Sequence, residues 1–327
     1  MKLAPVFIGT LNRHKHFIRA VESLRANPLA DETHLYVALD YPAKPEHYKG
    51  YERIKSFLTG ISGFGDLSVI ERESNFGAIR NFQDGKAKVL REHDRIIITE
   101  DDNCFSPNFL SYMNQGLDRF KTDKRIFAIC GHNYPISLDG VYDGNYYAWR
   151  GCSVWGYGIW RDRYETMKYS RSDFVRQLRN PLKVAQAYRI APHYVSSMLA
   201  KAMGKGEFDP FSDAAINLNL REKGQYCVFP TLSKVRNFGH DGSGLRSGAI
   251  KGESPFATQP VDNSATFDFD ANEEHFLDNP AINKALFRYF YRGRGQTVKT
   301  IWRLLNFYLR GGGYSKLSKN TKDVQQQ

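Results

Sequence analysis

Three consecutive acidic residues, Glu100-Asp101-Asp102, form the strongest chemical signal in the sequence. They follow the run RIIIT (Arg95 to Thr99), whose β-branched residues predict a buried strand. Carboxylate oxygens are preferred ligands of Mn²⁺ and Mg²⁺, which proteins hold with one or two carboxylates plus substrate phosphates. A solvated acidic turn is the alternative, but the apolar run before the acids favours a metal site. If the extended geometry continues, Glu100 and Asp102 point to one side and Asp101 to the other.

Polar groups also follow two earlier predicted strands. The run APVFIGT (Ala4 to Thr10) ends next to Asn12 and Arg13, and the run HLYVALD (His34 to Asp40) ends on an aspartate. Ligands of open α/β sheets bind beyond the carboxyl ends of the strands. One ligand could therefore touch Thr10, Arg13, Asp40 and the acidic cluster together.

The elements that carry these residues alternate as in an α/β domain with a mostly parallel sheet. The order up to residue 100 is strand, helix, strand, strand, helix, strand. The two helices are recognised by apolar residues at helical spacing, and the remaining strand by an apolar run. These three further elements are the helices His16 to Ala26 and Gly77 to Glu92 and the strand Leu67 to Ser74.

The composition of the sequence changes after residue 133, where Trp, Tyr and Gly become frequent. This change predicts three regions. Residues 1–133 form the predicted α/β region, 134–250 an acceptor-side and catalytic region, and 251–327 a surface wrap followed by a basic tail. The stretch from Trp149 to Tyr164 is dense in aromatic residues. Aromatic rings stack on sugars but more often form core, and we expect a mixed role, with Trp155 and Tyr157 flanking an acceptor.

The net charge of +11 comes mainly from the C-terminal tail, because residues 281–327 contain ten Lys/Arg and one acidic residue. Without a matching basic patch elsewhere, a nucleic-acid partner is not expected. Within the tail, Thr297 to Arg310 (TVKTIWRLLNFYLR) has apolar and aromatic residues at helical spacing, edged by cations. This pattern predicts a helix that lies in a membrane interface or packs on the protein's own core.

Other features of the sequence limit the class of protein. No run reaches the roughly 18 apolar residues of a spanning helix, and no signal peptide is expected. The four cysteines contain no C-x-x-C pair, so we predict neither a disulfide framework nor a zinc site. This cysteine usage predicts a cytoplasmic location.

An ordered set of motifs resembles GT-A glycosyltransferases, and particularly the N-acetylglucosaminyltransferase I family. The resemblance spans roughly residues 4 to 245, and its more specific parts are the E-D-D context and the N-F-G loop. It implies a GT-A fold, a UDP-sugar donor, Mn²⁺ and an inverting mechanism. The motifs are PVFIGTLNR, HLYVALD, FGAIRNF, IIITEDDNCFSPNFLSYM, FSDAAINLNL and VRNFGHDGSG.

The resemblance also implies roles for residues of the nucleotide-binding half. Asp102 would be the direct metal ligand, with Glu100 and Asp101 toward the nucleotide and sugar. Arg13 and Asp40 match positions that contact the nucleotide. Arg80 lies in the segment that this family uses near the diphosphate, where an Arg fork would neutralise the leaving group.

The catalytic base implied by the resemblance is Asp213, at the start of a helix predicted from Ser212 to Gly224. An inverting transfer needs a carboxylate that takes the proton from the acceptor hydroxyl. The alternative is a helix cap formed by Ser212 or Asp213. The sequence has F-S-D-A where the family has W-D-D-W, and Asp209 is the second candidate for the base.

The glycine-rich loop from Val235 to Gly244 suits a segment that moves over a diphosphate. In many GT-A enzymes a C-terminal histidine binds the metal, which makes His240 a candidate second metal ligand. An exposed loop histidine is the alternative. Asp241 is a further candidate.

These features predict a bacterial-type glycosyltransferase that moves a sugar from a UDP donor to a glycan such as a lipid-linked surface polysaccharide. The basic tail would bring it to the inner face of the cell membrane as a peripheral protein. A sugar-1-phosphate nucleotidyltransferase would need a glycine-rich loop after the first strand, where GTLNRHKHF has one glycine. A non-catalytic carbohydrate-binding protein would leave the acidic cluster without a role.

Overall fold

The computed structural model describes residues 3–204, 208–244, 250, 252–269 and 276–309. Within these residues an eight-stranded sheet runs through the molecule, and a separate two-stranded ribbon lies beside it. The strands are β1 (Val6–Thr10), β2 (His34–Leu39), β3 (Asp66–Glu71), β4 (Arg95–Glu100), β5 (Asn103–Phe105), β6 (Ile126–Cys130), β7 (Tyr146–Trp149), β8 (Tyr157–Trp160), β9 (Tyr226–Pro230) and β10 (Val235–Asn237).

Helices cover both faces of this sheet and follow it at the C-terminal end. Their bounds are α1 (His14–Arg25), α2 (Pro45–Thr59), α3 (Ala78–Glu92), α4 (Phe109–Arg119), α5 (Arg161–Tyr164), α6 (Arg171–Leu178), α7 (Pro181–Ile190), α8 (His193–Met203), α9 (Asp213–Lys223), α10 (Pro255–Thr258), α11 (Pro280–Phe290) and α12 (Arg294–Leu309).

The strand order in the sheet is β3-β2-β1-β4-β8-β6-β9-β7. The strands β3, β2, β1 and β4 are parallel, β8 runs antiparallel to both of its neighbours, and β7 is an antiparallel edge. The predicted α/β fold with a mostly parallel sheet flanked by helices is confirmed. In the second half of the sheet, β6 from before residue 133 lies between β8 and β9 from after it.

One helix of the first half was missed by the sequence analysis. Because β2 and β3 are parallel neighbours, the chain must cross over between them, and α2 makes this crossover. Its signal was present, since Pro45 occupies the first turn and Tyr51, Ile54 and Leu58 form its buried face.

The core has two layers because side chains of the strands alternate between the two faces of the sheet. On β1, Phe7 lies in one layer and Val6 and Ile8 in the other. The helix α3 approaches β1 closely, since a Cβ on Gly9 would lie 2.3 Å from the Phe82 ring and one on Gly85 2.4 Å from the Phe7 ring. This contact brings the residues of α3 down to the sheet.

The C-terminal part of the chain returns to the core. Phe267 and Phe276 are buried beside Tyr146 and α4, and Leu277 forms a β-bridge with Ala148. The predicted tail helix is present as α12, although Arg310 and the residues after it lie outside the described residues. No helix among the described residues combines the length and the apolar character needed to cross a bilayer.

Candidate functional site at the carboxyl edge of the sheet

The acidic cluster lies at the carboxyl end of β4, where the strand ends at Glu100 and the chain turns. Asp101 and Asp102 are buried, and both bind the Arg13 guanidinium, Asp102 Oδ2 at 2.9 Å from Nη1 and Asp101 through Nη2. The prediction that Asp101 points away from Asp102 is therefore wrong. The extended geometry stops at Glu100, so the turn brings the two aspartates to the same cation.

The end of β1 supplies the groups that surround Asp101. Thr10, the last residue of β1, donates from Oγ1 to Asp101 Oδ2 at 2.9 Å, and Arg13 follows three residues later just before α1. Burial raises the pKa of Asp101, and Arg13 and Thr10 oppose that rise. Burial lowers the pKa of Arg13, but the charges of Asp101 and Asp102 outweigh it and the net shift is upward.

The ribbon of β5 and β10 fastens the glycine-rich loop to Asp102. Asn237 Nδ2 donates to Asp102 Oδ1 at 2.8 Å, and the Phe238 amide donates to the Asp102 carbonyl at 2.9 Å. A Cβ on Gly239 would lie 2.1 Å from Asp102 Oδ2, so only glycine leaves room for this carboxylate. We name the group formed by Thr10, Arg13, Asp101, Asp102 and Asn237 the acidic edge.

His240 follows the glycine that touches Asp102. Its ring lies 5.6 Å from that of Trp155 and 5.0 Å from that of Phe256, and its Nδ1 is buried with no hydrogen-bond partner among the described residues. A carboxylate oxygen and an imidazole nitrogen are ligand types that suit Mn²⁺ or a similar divalent ion. In ligand type, Asp102 and His240 would therefore fit a metal.

Asp241 has hydrogen-bond partners other than Asp102 and His240. Its carboxylate lies 2.8 Å from His16 Nε2 and accepts from the Ser243 amide at 2.9 Å. Its side chain is 48% exposed. Burial opposes ionisation, but these hydrogen bonds hold the pKa of Asp241 well below its usual range.

Asp40 and Arg80 meet at a second position on the same edge of the sheet, through Phe76. Asp40 is buried and accepts from the Phe76 amide at 2.8 Å, which fixes the segment after β3. The Arg80 guanidinium lies 4.1 Å from the centre of the Phe76 ring and is exposed. Asp40 thus positions the backbone, and Arg80 is the group of this pair that faces solvent.

Lys86 is a site residue that the sequence analysis missed. It lies on α3, is 4% exposed, and its ammonium is 4.4 Å from the centre of the Phe211 ring. Burial lowers its pKa to about 8, and the charges of Asp209 and Glu100 oppose the shift. Lys86 therefore links the end of β4 electrostatically to the segment before α9. The sequence feature that could have revealed it is a lysine on the apolar side of α3, directly after Gly85, the glycine that contacts Phe7.

Asp213, the predicted base, begins α9 and is exposed. Its Oδ1 accepts from the Ala214 amide at 2.8 Å, and the side chain of Ser212 makes no capping hydrogen bond. Burial lowers the pKa of His193 to about 4, and the negative charge of nearby Asp213 opposes that shift. The structure therefore associates Asp213 with His193, and Asp209 with Lys86.

A chain of aromatic rings leads from the glycine-rich loop toward His193. We name the group His132, Tyr134, Trp155, His193 and His240 the aromatic side. Trp155 contacts the His132 ring at 4.6 Å, His132 contacts the Tyr134 ring at 5.4 Å, and Phe290 joins Tyr134 (4.7 Å) to His193 (4.3 Å).

The two predicted acceptor residues lie in different surroundings. Trp155 is half-buried between the rings of His240 and His132, whereas Tyr157 is 3% exposed on β8 and belongs to the core. The ring of Trp155 is thus the more accessible of the two.

Three cysteines that are distant in sequence meet in the core. The sulfur atoms of Cys130, Cys152 and Cys227 lie within 4.8 Å of one another, and Cys130 and Cys152 are 3.9 Å apart. All three are buried free thiols in an apolar layer. The spacing of the cysteines along the sequence did not predict this cluster, because separate strands bring them together.

Comparisons with known proteins add two distant structural similarities. No protein-family model matches the sequence, and a search of the curated proteins finds no match. The mannosyltransferase PcManGT from Pyrobaculum calidifontis, solved with GDP-Man and Mn²⁺, is 13% identical, with a TM-score of 0.40 over 66% of this chain and 68% of its own. S. aureus TarS is 12% identical, with a TM-score of 0.32 over 51% of this chain and 30% of its own. Similarity at this level carries no conclusion about function.

Proposed function

We propose that this protein is a metal-dependent glycosyltransferase that moves a sugar from a nucleotide-sugar donor to a glycan acceptor. The observation that carries the proposal is the acidic edge, where one guanidinium binds two buried carboxylates at the carboxyl ends of parallel strands. From there the chain passes through Gly239, which leaves room for Asp102, to His240, whose Nδ1 is buried with no hydrogen-bond partner among the described residues. This combination suits a diphosphate and its metal ion.

The donor that we propose is a UDP-sugar, bound along the carboxyl edge of the sheet. Thr10 and Arg13 hold Asp101 in place, and Glu100 and Asp101 would face the nucleotide and sugar. At the second position Asp40 fixes the Phe76 backbone, so that the exposed guanidinium of Arg80 is available for a phosphate.

The metal that we propose is Mn²⁺ or Mg²⁺, held by Asp102 and His240. When bound, the ion would neutralise charge on the departing nucleoside diphosphate. Arg13 and Asn237 orient the Asp102 carboxylate for this task, at 2.9 Å and 2.8 Å.

The base that we propose is Asp213, in an inverting transfer. Its carboxylate would take the proton from the acceptor hydroxyl while that oxygen bonds to the anomeric carbon and the bond to the diphosphate breaks. The exposed position of Asp213 supports this role, because an acceptor can reach it. Asp209 is the second candidate, since Lys86 links it to Glu100.

The acceptor that we propose is a glycan, such as a lipid-linked one, that stacks on Trp155. The half-buried ring of Trp155 lies next to His240, on the path toward His193 and Asp213. Tyr157 would support this region from the core rather than touch the sugar. A contact of the C-terminal tail with the inner face of the cell membrane would bring the enzyme to such an acceptor as a peripheral protein.

The decisive experiment is hydrolysis and transfer with a panel of UDP-sugars and GDP-mannose, with Mn²⁺, Mg²⁺ or EDTA. We expect UDP release that needs the metal and increases with a glycan acceptor. Synthesis of a nucleotide sugar from UTP and a sugar 1-phosphate would instead identify a nucleotidyltransferase. Glycan binding with no reaction in either assay would identify a carbohydrate-binding protein. Anomeric analysis of a transferred sugar tests the inverting outcome.

A further inference from the structure

The C-terminal helix α12 docks on the protein through one face only. Thr300 and Phe307 are 6% and 2% exposed. Thr300 Oγ1 lies 3.2 Å from Ser196 Oγ on α8, and Tyr188 on α7 lies 3.0 Å from Thr297. These contacts fix the orientation of the helix, so its opposite face points outward.

The outward face is an apolar stripe. Among the described residues, six of the fourteen large exposed apolar side chains lie on α12. The stripe recurs at intervals of three or four residues, which places its members on one side of the helix. They are Val298 (63% exposed), Ile301 (51%), Trp302 (66%), Leu305 (54%) and Leu309 (84%). A row of apolar groups this exposed marks an interaction surface.

The charge beside the stripe identifies the kind of partner. Arg292, Arg294, Lys299 and Arg303 are exposed around it, and the sequence contains no Asp or Glu from residue 279 to residue 322. A second copy of this surface would bring like charges together. A bilayer with anionic headgroups instead accepts the apolar side chains and attracts the cations.

We propose that the outward face of α12 is a membrane-docking surface, which lies in the interface of a bilayer that contains anionic phospholipid. Trp302 and Leu305 insert among the lipids, and Lys299 and Arg303 bind headgroups beside them. This proposal does not depend on sugar transfer, because the stripe and its cations are separate from the acidic edge.

The docked helix is close to the predicted acceptor side of the protein. The preceding helix α11 carries Phe290, whose ring contacts those of Tyr134 and His193 at 4.7 Å and 4.3 Å. The charge of Asp213 acts on His193 and also on Tyr134. A membrane under α12 would therefore lie near the end of the site where an acceptor must enter.

The test is co-sedimentation of the full chain with vesicles of phosphatidylcholine alone or mixed with phosphatidylglycerol, without donor or metal. We expect binding to the anionic vesicles that is weakened by salt. The double variant Trp302→Gln/Leu305→Gln should bind about tenfold more weakly or worse, and Lys299→Glu/Arg303→Glu should lose the preference for anionic lipid. Leu182→Gln, which changes another exposed leucine (75%), is the matched control and should bind normally.

Three outcomes would overturn the proposal. They are unchanged binding by the Trp302→Gln/Leu305→Gln variant, an equal loss in the Leu182→Gln control, and binding that does not distinguish anionic from neutral vesicles. A dimer in solution that this double variant dissociates, with no vesicle binding by the wild type, would assign the stripe to a second copy of the chain. Unfolding midpoints of all variants should match the wild type, because the substituted side chains are exposed. Since no substrate is present, failure here is distinct from failure of the proposed transfer activity.

Discussion

The acidic edge and the aromatic side are joined by the glycine-rich loop, from Asn237 to His240, but satisfy their polar groups differently. In the acidic edge, Arg13 binds both aspartates, and Thr10 and Asn237 complete their hydrogen bonds. In the aromatic side, ring nitrogens of three histidines are buried with no hydrogen-bond partner among the described residues. They are His132 Nε2, His193 Nδ1 and His240 Nδ1.

This difference separates stability from ligand binding. Groups that satisfy one another hold the fold together, and the loss of one leaves the others buried and unpaired. Buried groups without a protein partner add no hydrogen bond to the fold and are available to a ligand. Removal of the cation in the acidic edge should therefore destabilise the protein, whereas a substitution of the exposed Asp213, next to the aromatic side, should reduce activity with little effect on stability.

The largest effect is expected for Asp213→Asn, next to the aromatic side. Loss of the base should lower kcat about 1000-fold. The free energy of unfolding should change by less than about 0.5 kcal/mol, because the side chain is exposed and bonds only a neighbouring amide. Steady-state kinetics and urea unfolding of the same sample measure both quantities.

Asp209→Asn is the matched comparison for that variant. If Asp209→Asn loses more activity than Asp213→Asn, the base is Asp209. If Asp213→Asn lowers the unfolding midpoint and retains activity, Asp213 is only a structural residue at the start of α9.

Arg13→Ala should be the most destabilising single change in the acidic edge. It leaves two buried carboxylates side by side without a cation, which should cost about 3 kcal/mol in urea unfolding at pH 7. Arg80→Ala is the control, since that arginine is exposed and stacks on one ring. An equal loss in both variants would remove the distinction between the acidic edge and the rest of the sheet edge.

Asp102→Asn should affect both metal binding and activity. The amide keeps the shape of the side chain but loses its charge, and we expect about a 100-fold loss of kcat. Binding of Mn²⁺, followed by calorimetry, should weaken strongly. Asp241→Asn is the control, because His16 and Ser243 already hold that carboxylate. Full metal binding by Asp102→Asn would move the metal site elsewhere.

The smallest effect is the contribution of His132, in the aromatic side, to the pH dependence of the free energy of unfolding. Burial lowers the pKa of His132 to about 3, so the ring is neutral in the folded protein, while the unfolded chain binds a proton below its ordinary value of 6.5. The stability that goes with the neutral His132 ring is fully present above pH 6.5. It is lost as the pH falls, because the unfolded chain then binds a proton that the folded protein does not. Between pH 7 and pH 5 it should amount to about 2 kcal/mol.

The variant His132→Asn isolates that contribution. The difference in unfolding free energy between pH 7 and pH 5 should be about 2 kcal/mol smaller in the variant than in the wild type. The loss of ring contacts affects both pH values equally and cancels in this comparison. An unchanged pH dependence would show that a partner or solvent reaches the His132 ring.

Much of the fold could be predicted because its signals are local. The apolar runs of β1, β2 and β4 and the spacing of α1 and α3 lie within single segments. The helix α2 was missed, although its Pro and its apolar positions were visible. The need for a crossover there becomes clear only when β2 and β3 are known to be parallel neighbours. The cluster of Cys130, Cys152 and Cys227 could not be predicted, since it depends on which strands become neighbours.

The candidate site shows the same division. The sequence by itself determined the residue types at the carboxyl ends of the strands, since strand periodicity places Thr10, Glu100 and the residues after them at one edge. Only the tertiary structure decided that Asp101 and Asp102 turn to one arginine and that the charges of Glu100 and Asp209 act on buried Lys86. It also decided which face of α12 packs on the protein. The physical reason is that periodicity fixes the side of an element on which a side chain lies, whereas its partner depends on long-range packing and on where burial leaves a charge unpaired.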